Sequence, residues 1–282
     1  MIAIVVDSNS QLPPDLASRF GITVVPLTVT VDGQDHLEGV DLDADTFYAR
    51  FGKGSPTVTT AQPSPGRFVA TYERVAAAGA DAILSVHIGS SISGTINSAT
   101  LAAGAVDVPV RIVDTGAASF AITLCAWAAA EALAAGASLE EAAGVAETTA
   151  GTVGNVFAVR ALDLARAGGR LADGPAAGEP GSVPVMTMSD GVMQVVGRAA
   201  DLDDVADVMA ARVRGAGSNL RVGIGVADAG VVHFWDVLER RLAASPEVDE
   251  IVRYRVGPSV GAHTGPGTVG AMYAPRRPGA GQ

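Results

Sequence analysis

The 282-residue chain is 48% hydrophobic and carries a formal net charge of −11, from 19 Lys and Arg against 30 Asp and Glu. That length accommodates one large or two modest domains with a sizeable buried core. The acidic balance argues against general nucleic-acid binding and against simple electrostatic docking on anionic lipid, although a local basic face for one partner stays open.

The first half alternates apolar runs with helical patterns. Residues 2–6 (IAIVV) read as a strand and 13–20 (PPDLASRF) as a helix opened by proline. Residues 22–31 (ITVVPLTVTV) read as extended, and 43–51 and 64–79 as helices. A strand over 82–88 (AILSVHI), a helix over 93–105, a strand over 108–114 and a helix over 138–151 follow. Between the last two lies AASFAITLCAWAAAEALAAGA, mostly alanine. Glu131 interrupts it before it could span a bilayer, so it reads as a buried core helix. It holds the single cysteine, Cys125, which excludes an intrachain disulfide and reads as a core thiol. The start shows no basic n-region and no A-x-A site, so no signal peptide is expected, and the expected location is cytoplasmic.

Residues 171–182 (LADGPAAGEPGS) read as a loop. Beyond it the pattern changes. VPVMTM (183–188) and MQVVGR (193–198) flank an SDG turn signal and read as a hairpin. Helices over 201–214 and 232–245 alternate with strands over 221–228 and 250–257. The expected fold is α/β in two domains: residues 1–155 with a parallel sheet flanked by helices, and 156–282 with a mixed or antiparallel sheet.

Ligands in parallel α/β sheets sit outside the carboxyl ends of the strands. Such ends here carry short polar groups: VVDSNS, SSISGT and VDTGAAS. In SSISGT the hydroxyls of Ser93 and Thr95, with Gly94 between them, open a helix. They fit either capping or an anion held at the helix N-terminus. Two further polar groups are TTAQPSPGRF, with Thr59, Thr60 and Gln62, and GPSVGAHTGPGTVG, a glycine-rich loop around His263. Other motifs fail. GPGTVG matches G-x-G-x-x-G without chain enough for a βαβ unit, and DLDADTFYARFG lacks the Gly and Glu of a calcium loop. A P-loop and a zinc spacing are missing from the sequence, and Ser93 does not stand in a G-x-S-x-G elbow.

VVDSNSQLP, TAQPSPGRF, SSISGT, RIVDTGAAS, AGGRL and GAHTGPGTVG occur in this order over nearly the whole chain. Together they resemble the DegV family, the fatty-acid-binding subunits (FakB type) of bacterial fatty acid kinase. The resemblance implies a long-chain fatty acid held between two α/β domains, with no other cofactor and no metal. Its carboxylate would lie on Thr60, Ser93 and His263, with Gly94 and Thr264 as neighbours. A separate ATP-using kinase subunit would then make the acyl phosphate, so the chain would not be an enzyme alone. Arg170 and Arg198 match basic positions of the family and are candidate kinase contacts. Ala61 stands where the family has serine, and SVPVM lacks the family's lysine. Asp7, Ser8 and Asp114 are expected to shape the strand-end loops.

The chemistry of a fatty acid agrees with this reading. Burying each methylene contributes ~0.8 kcal/mol, so fifteen give roughly 12 kcal/mol before the costs of association. The carboxylate then needs donors, because an unpaired buried charge is costly. Hydroxyls and His263, donating as imidazole or imidazolium, leave it nucleophilic for later phosphoryl transfer. A monomer with at most transient membrane contact is expected. Two alternatives stay open: a serine-dependent acyl hydrolase or transferase using Ser93, His263 and Asp7 or Asp114, and a lipid carrier or sensor without a kinase.

Overall fold

The structure, a computed structural model, describes residues 1–160, 162–167, 182–189 and 191–276. It is a two-domain α/β fold. The chain begins with β1 (Ile2–Asp7), α1 (Pro14–Phe20), β2 (Thr23–Val25), β3 (Thr28–Val31), β4 (Gln34–Leu37), α2 (Ala44–Phe51) and β5 (Val58–Ala61). Next come α3 (Pro65–Ala77), β6 (Ala82–His87), α4 (Thr95–Ala103), β7 (Val110–Asp114), α5 (Phe120–Ala134) and α6 (Leu139–Ala150). Then follow β8 (Gly154–Ala158), α7 (Leu162–Ala167), β9 (Val183–Ser189), β10 (Val192–Ala199), α8 (Leu202–Arg214) and β11 (Leu220–Val226). The last elements are α9 (Phe234–Leu242), β12 (Val248–Arg255), α10 (Pro258–Thr264) and β13 (Val269–Pro275).

A parallel sheet of order β2-β1-β6-β7 forms the first layer. Its strands are apolar on both faces because both faces are covered. Ile4, Val6, Leu84 and Val86 pack on Ile122 and Ala126 of α5 and Ala142 of α6. Val5 and Ile83 point the other way, onto Phe68 and Tyr72 of α3 and Ala99 of α4. A mixed sheet of order β10-β9-β8-β13-β11-β12 forms the second layer. One of its faces is covered by α8 and α9 through Val222, Ile224, Met209 and Leu238.

Helix α5 lies between the sheets. Its Ile122 and Cys125 face the first, while Phe120, Leu124 and Trp127 pack with Tyr254 and Met272 of the second. A helix with neighbours all round is apolar all round, which accounts for the alanine-rich segment. Among the described residues no helix is long and apolar enough to cross a membrane.

Pro26 divides the run 22–31. Strand β2 joins the parallel sheet, whereas β3 forms a small antiparallel sheet of order β4-β3-β5. Asp32 (φ 50°) and Gly33 (φ 81°) make the tight β3–β4 turn. The segment around His263, read as a loop, contains a short helix with Pro258 at its start. Glycine argues against helix, but Gly261 lets α10 settle against the rings of Phe47 and Tyr48. Strand β13 then fills the centre of the mixed sheet.

Arg221 of β11 fastens the second sheet to α5. Its Nη2 donates to Glu131 Oε1 at 2.8 Å and its Nε to Glu250 Oε2 at 2.9 Å. The guanidinium lies 3.5 Å from the Trp127 ring centre, and Trp127 Nε1 donates to the same Glu131 oxygen. Removing one member of a buried ion pair leaves the other uncompensated. Arg221→Met is therefore expected to destabilise the protein by about 3 kcal/mol, read as a lower urea midpoint, while Arg240→Met on the surface of α9 changes it little.

Candidate functional site

The strand ends of the parallel sheet are joined to one another by two carboxylates, Asp7 buried and Asp114 exposed. Asp7, at the end of β1, accepts the N–H of Asn9 (3.0 Å) and of Ile88 (2.9 Å). Its Oδ2 also lies 3.0 Å from His87 Nδ1. From His87 Nε2 the chain of bonds runs to Ser85 Oγ (2.6 Å) and on to Tyr72 OH (2.8 Å). Burial pushes the Tyr72 phenol up to about 12. Asp114, at the end of β7, accepts the N–H of Ser90 (3.1 Å) and of Gly116 (2.9 Å). The loops after β6 and β7 touch here: a Cβ on Gly89 would fall 2.7 Å from the backbone of Gly116.

These loops floor a cavity of about 250 Å³. Its polar groups come from separate elements. Thr60 belongs to β5, and Gln62 follows it. Ser93 and Gly94 precede α4. His263 and Thr264 end α10. Thr60 Oγ1 lies 3.2 Å from His263 Nε2, a hydrogen bond whose direction follows the imidazole tautomer. Ser93 Oγ lies 2.9 Å from Thr95 Oγ1 and accepts the Thr95 N–H at 3.3 Å. Gln62 packs on Gly94 so closely that a Cβ there would lie 2.6 Å from its amide nitrogen. The Thr264 hydroxyl donates to the Val260 carbonyl within its own helix. The remaining wall is mostly apolar, with Ile88, Ile92, Phe157, Met193 and Val269, and includes Asn9, Ser119, Ser259 and Thr268.

The sequence-predicted residues divide accordingly. Thr60, Ser93, Gly94, His263 and Thr264 line one cavity. Asp7, Ser8 and Asp114 hold loops around it. Arg198, on edge strand β10, donates to Ser182 Oγ at 3.3 Å. Arg170 lies outside the described residues. A nucleophile–base–acid row on Ser93 is not assembled from these groups, since Asp7 is committed to His87 and Asp114 to backbone N–H groups.

Sequence reasoning missed the residues that hold α10. Glu38, only 5% exposed, accepts the Ser259 N–H at 2.8 Å and the Ser8 hydroxyl at 2.5 Å. Gln11 Oε1 accepts the Gly257 N–H, and Asn9 Nδ2 donates to Ser259 Oγ at 3.1 Å. Asn9 Oδ1 also accepts the Ser119 N–H at 2.8 Å, which ties α10 to the start of α5. Ser8, Asn9 and Gln11 sit in the VVDSNSQLP motif, but nothing around Glu38 marks it as buried.

The DegV family, described as "Uncharacterised protein, DegV family", matches residues 1–276. The chain belongs to the DegV family. A DegV domain-containing protein of Streptomyces coelicolor is 36% identical over 98% of this chain and 99% of its own. Among solved structures, one reported as fatty acid binding of a DegV family protein from Thermus thermophilus has a TM-score of 0.88. It is 31% identical, over 97% of this chain and 99% of its own. DegV of Bacillus subtilis, reported as a fatty acid binding protein, has a TM-score of 0.85 at 27% identity, over 97% and 98% of the two chains.

In this DegV chain, desolvation pushes the Glu38 carboxyl above its ordinary value of 4.5, against the hydrogen bonds from Ser8 and Ser259. The folded state then holds its proton more tightly than the unfolded state, so stability falls as pH rises from 4.5 toward the folded value. Glu38→Gln keeps an acceptor for the Ser259 N–H and removes the titration. The expected result is a wild-type stability that drops above pH 4.5 relative to the variant in urea titrations across pH. Parallel profiles would contradict it.

Proposed function

We propose that this protein binds a long-chain fatty acid in the cavity and presents its carboxylate to a separate ATP-dependent fatty acid kinase, which forms the acyl phosphate. The observation that carries the reading is the gathering of Thr60, Ser93, Gly94 and His263 at one cavity whose other walls are mostly apolar. The solved DegV relatives reported as fatty acid binding support it.

The carboxylate sits among Thr60 Oγ1, His263, Ser93 Oγ and the N–H groups that open α4. Thr60 and His263 already bond to each other, so the ligand enters a preorganised donor pair. Gln62, exposed at the rim beside Gly94, adds an amide donor at the mouth. Thr264 shapes the end of α10 next to them. Among the described residues no arginine lines the cavity, which leaves the oxygens free to attack a phosphoryl group. The acid end lies near the surface, where a partner enzyme reaches it. Arg198, and Arg170 by its place in the sequence, contact that partner. The protein supplies binding and presentation, and the kinase supplies the chemistry.

Native mass spectrometry, followed by denaturing extraction, tests this directly. The expected result is an adduct with the mass of a long-chain fatty acid. Thr60→Val and Ser93→Ala each remove a hydrogen bond to a charged group and are expected to weaken binding by about tenfold. With a kinase and ATP the loaded protein yields acyl phosphate, and alone it cleaves no acyl ester. An empty protein that takes up no added fatty acid would overturn the proposal.

A further inference from the structure

Three of the seven residues that the mixed-sheet strands give to the cavity wall are methionine, beside Phe157, Tyr254, Val269 and Gly270. The chain has 6 Met; Met188, Met193 and Met272 line the cavity, and Met186 packs behind them with Phe157 and Val159. Strand register explains the grouping. Met188 lies directly opposite Met193, and Met186 directly opposite Phe157. Cross-strand partners share a face, and residues two apart along a strand share it too. The opposite face of the same sheet is built from Val156, Val185, Val222 and Ile224, packed on α8 and α9.

Strands favour β-branched residues, and the face on α8 and α9 uses Val and Ile at Val156, Val185, Val222, Ile224 and Val226, beside Ala158, Leu220 and Tyr273. On the cavity face the unbranched Met188, Met193 and Met272 stand at such positions. Departures from local preference concentrate at functional surfaces. A β-branched wall is fixed at χ1 and presents one relief. Methionine is unbranched, with rotatable bonds and a polarisable sulfur, and re-forms around differently shaped partners.

We propose that Met188, Met193 and Met272 set the acyl-chain selectivity of this protein, letting the slot take chains bent by a cis double bond or thickened by a methyl branch as readily as straight saturated chains. This rests on the fatty-acid reading given above. The wall moves to meet the chain, so the shape of the acyl tail contributes little to the difference in affinity between acids of equal carbon number.

The test uses the full chain, stripped of lipid, and three sixteen-carbon acids: straight saturated, cis-monounsaturated and iso-methyl-branched. Displacement of a fluorescent fatty acid gives each Kd. For the wild type the three values are expected within about threefold of one another. The double variant Met188→Ile, Met193→Ile conserves volume and suits strands, so it is expected to fold. It should keep the straight acid and lose the bent and branched ones by about tenfold. Met272→Leu probes the same wall from β13, with a smaller shift in the same direction. A wild type that already separates the three acids tenfold, or variants that bind with wild-type ratios, would overturn the inference and leave the fatty-acid reading standing. A wild type that takes up none of the acids removes both.

Discussion

The site depends on where one short helix stands. Helix α10 carries His263 at its C-terminal end, and its N-terminal end is held by the Glu38 carboxylate, the Gln11 amide and the Asn9 amide. All three anchors come from the first 38 positions of the chain, whereas α10 lies near its other end. A buried carboxylate is costly unless it is hydrogen-bonded, and Glu38 is bonded from two sides. Those bonds fix the helix end, the helix carries His263 to Thr60, and the imidazole and hydroxyl then face the cavity as a pair. Rigid elements place such groups better than loops do. The same argument covers the floor, where Asp7 and Asp114 bind backbone N–H groups and so fix the loops that present Ser93 and Gly94.

Much of this was legible in the sequence. The apolar strands at 2–6 and 82–88, the polar groups at their ends and the alanine-rich helix follow from period and composition, because local pattern and tertiary setting agree there. Thr60, Ser93 and His263 stand out as polar residues in segments rich in glycine or proline, and they line one cavity. Other features were not readable. Strand β4 (QDHL) has no apolar alternation, since it lies at an exposed sheet edge and is defined by pairing with β3. The Asp32–Gly33 pair that precedes it is the one hairpin-turn signal the sequence carries there. Helix α10 looked like loop because of its glycine, which serves packing against α2 rather than chain flexibility. Glu38 looked like any surface acid, because only long-range contacts bury it.

Helix α5 is held by different means on its two sides. On one side alanines let α6 approach closely, and stability comes from area and fit. On the other, Arg221 is stacked on Trp127 and shared between Glu131 and Glu250. Apolar packing alone tolerates sliding, whereas a forked guanidinium fixes register. Tyr254 and Met272, which pack with α5 on this second side, also line the cavity.

The bond between Thr60 and His263 spans 203 positions, and that between Asn9 and Ser259 spans 250. Each closes a very long loop, and contacts of that separation form late. A chain emerging from the ribosome displays Ile88, Ile92, Phe157 and Met193 before α10 exists to close over them. Until then the cavity is an open apolar trough on a half-made protein, the kind of surface that self-associates or recruits a chaperone. Loss of the last few elements, by a nonsense codon or a protease, would thus leave a sticky remnant rather than a smaller working protein.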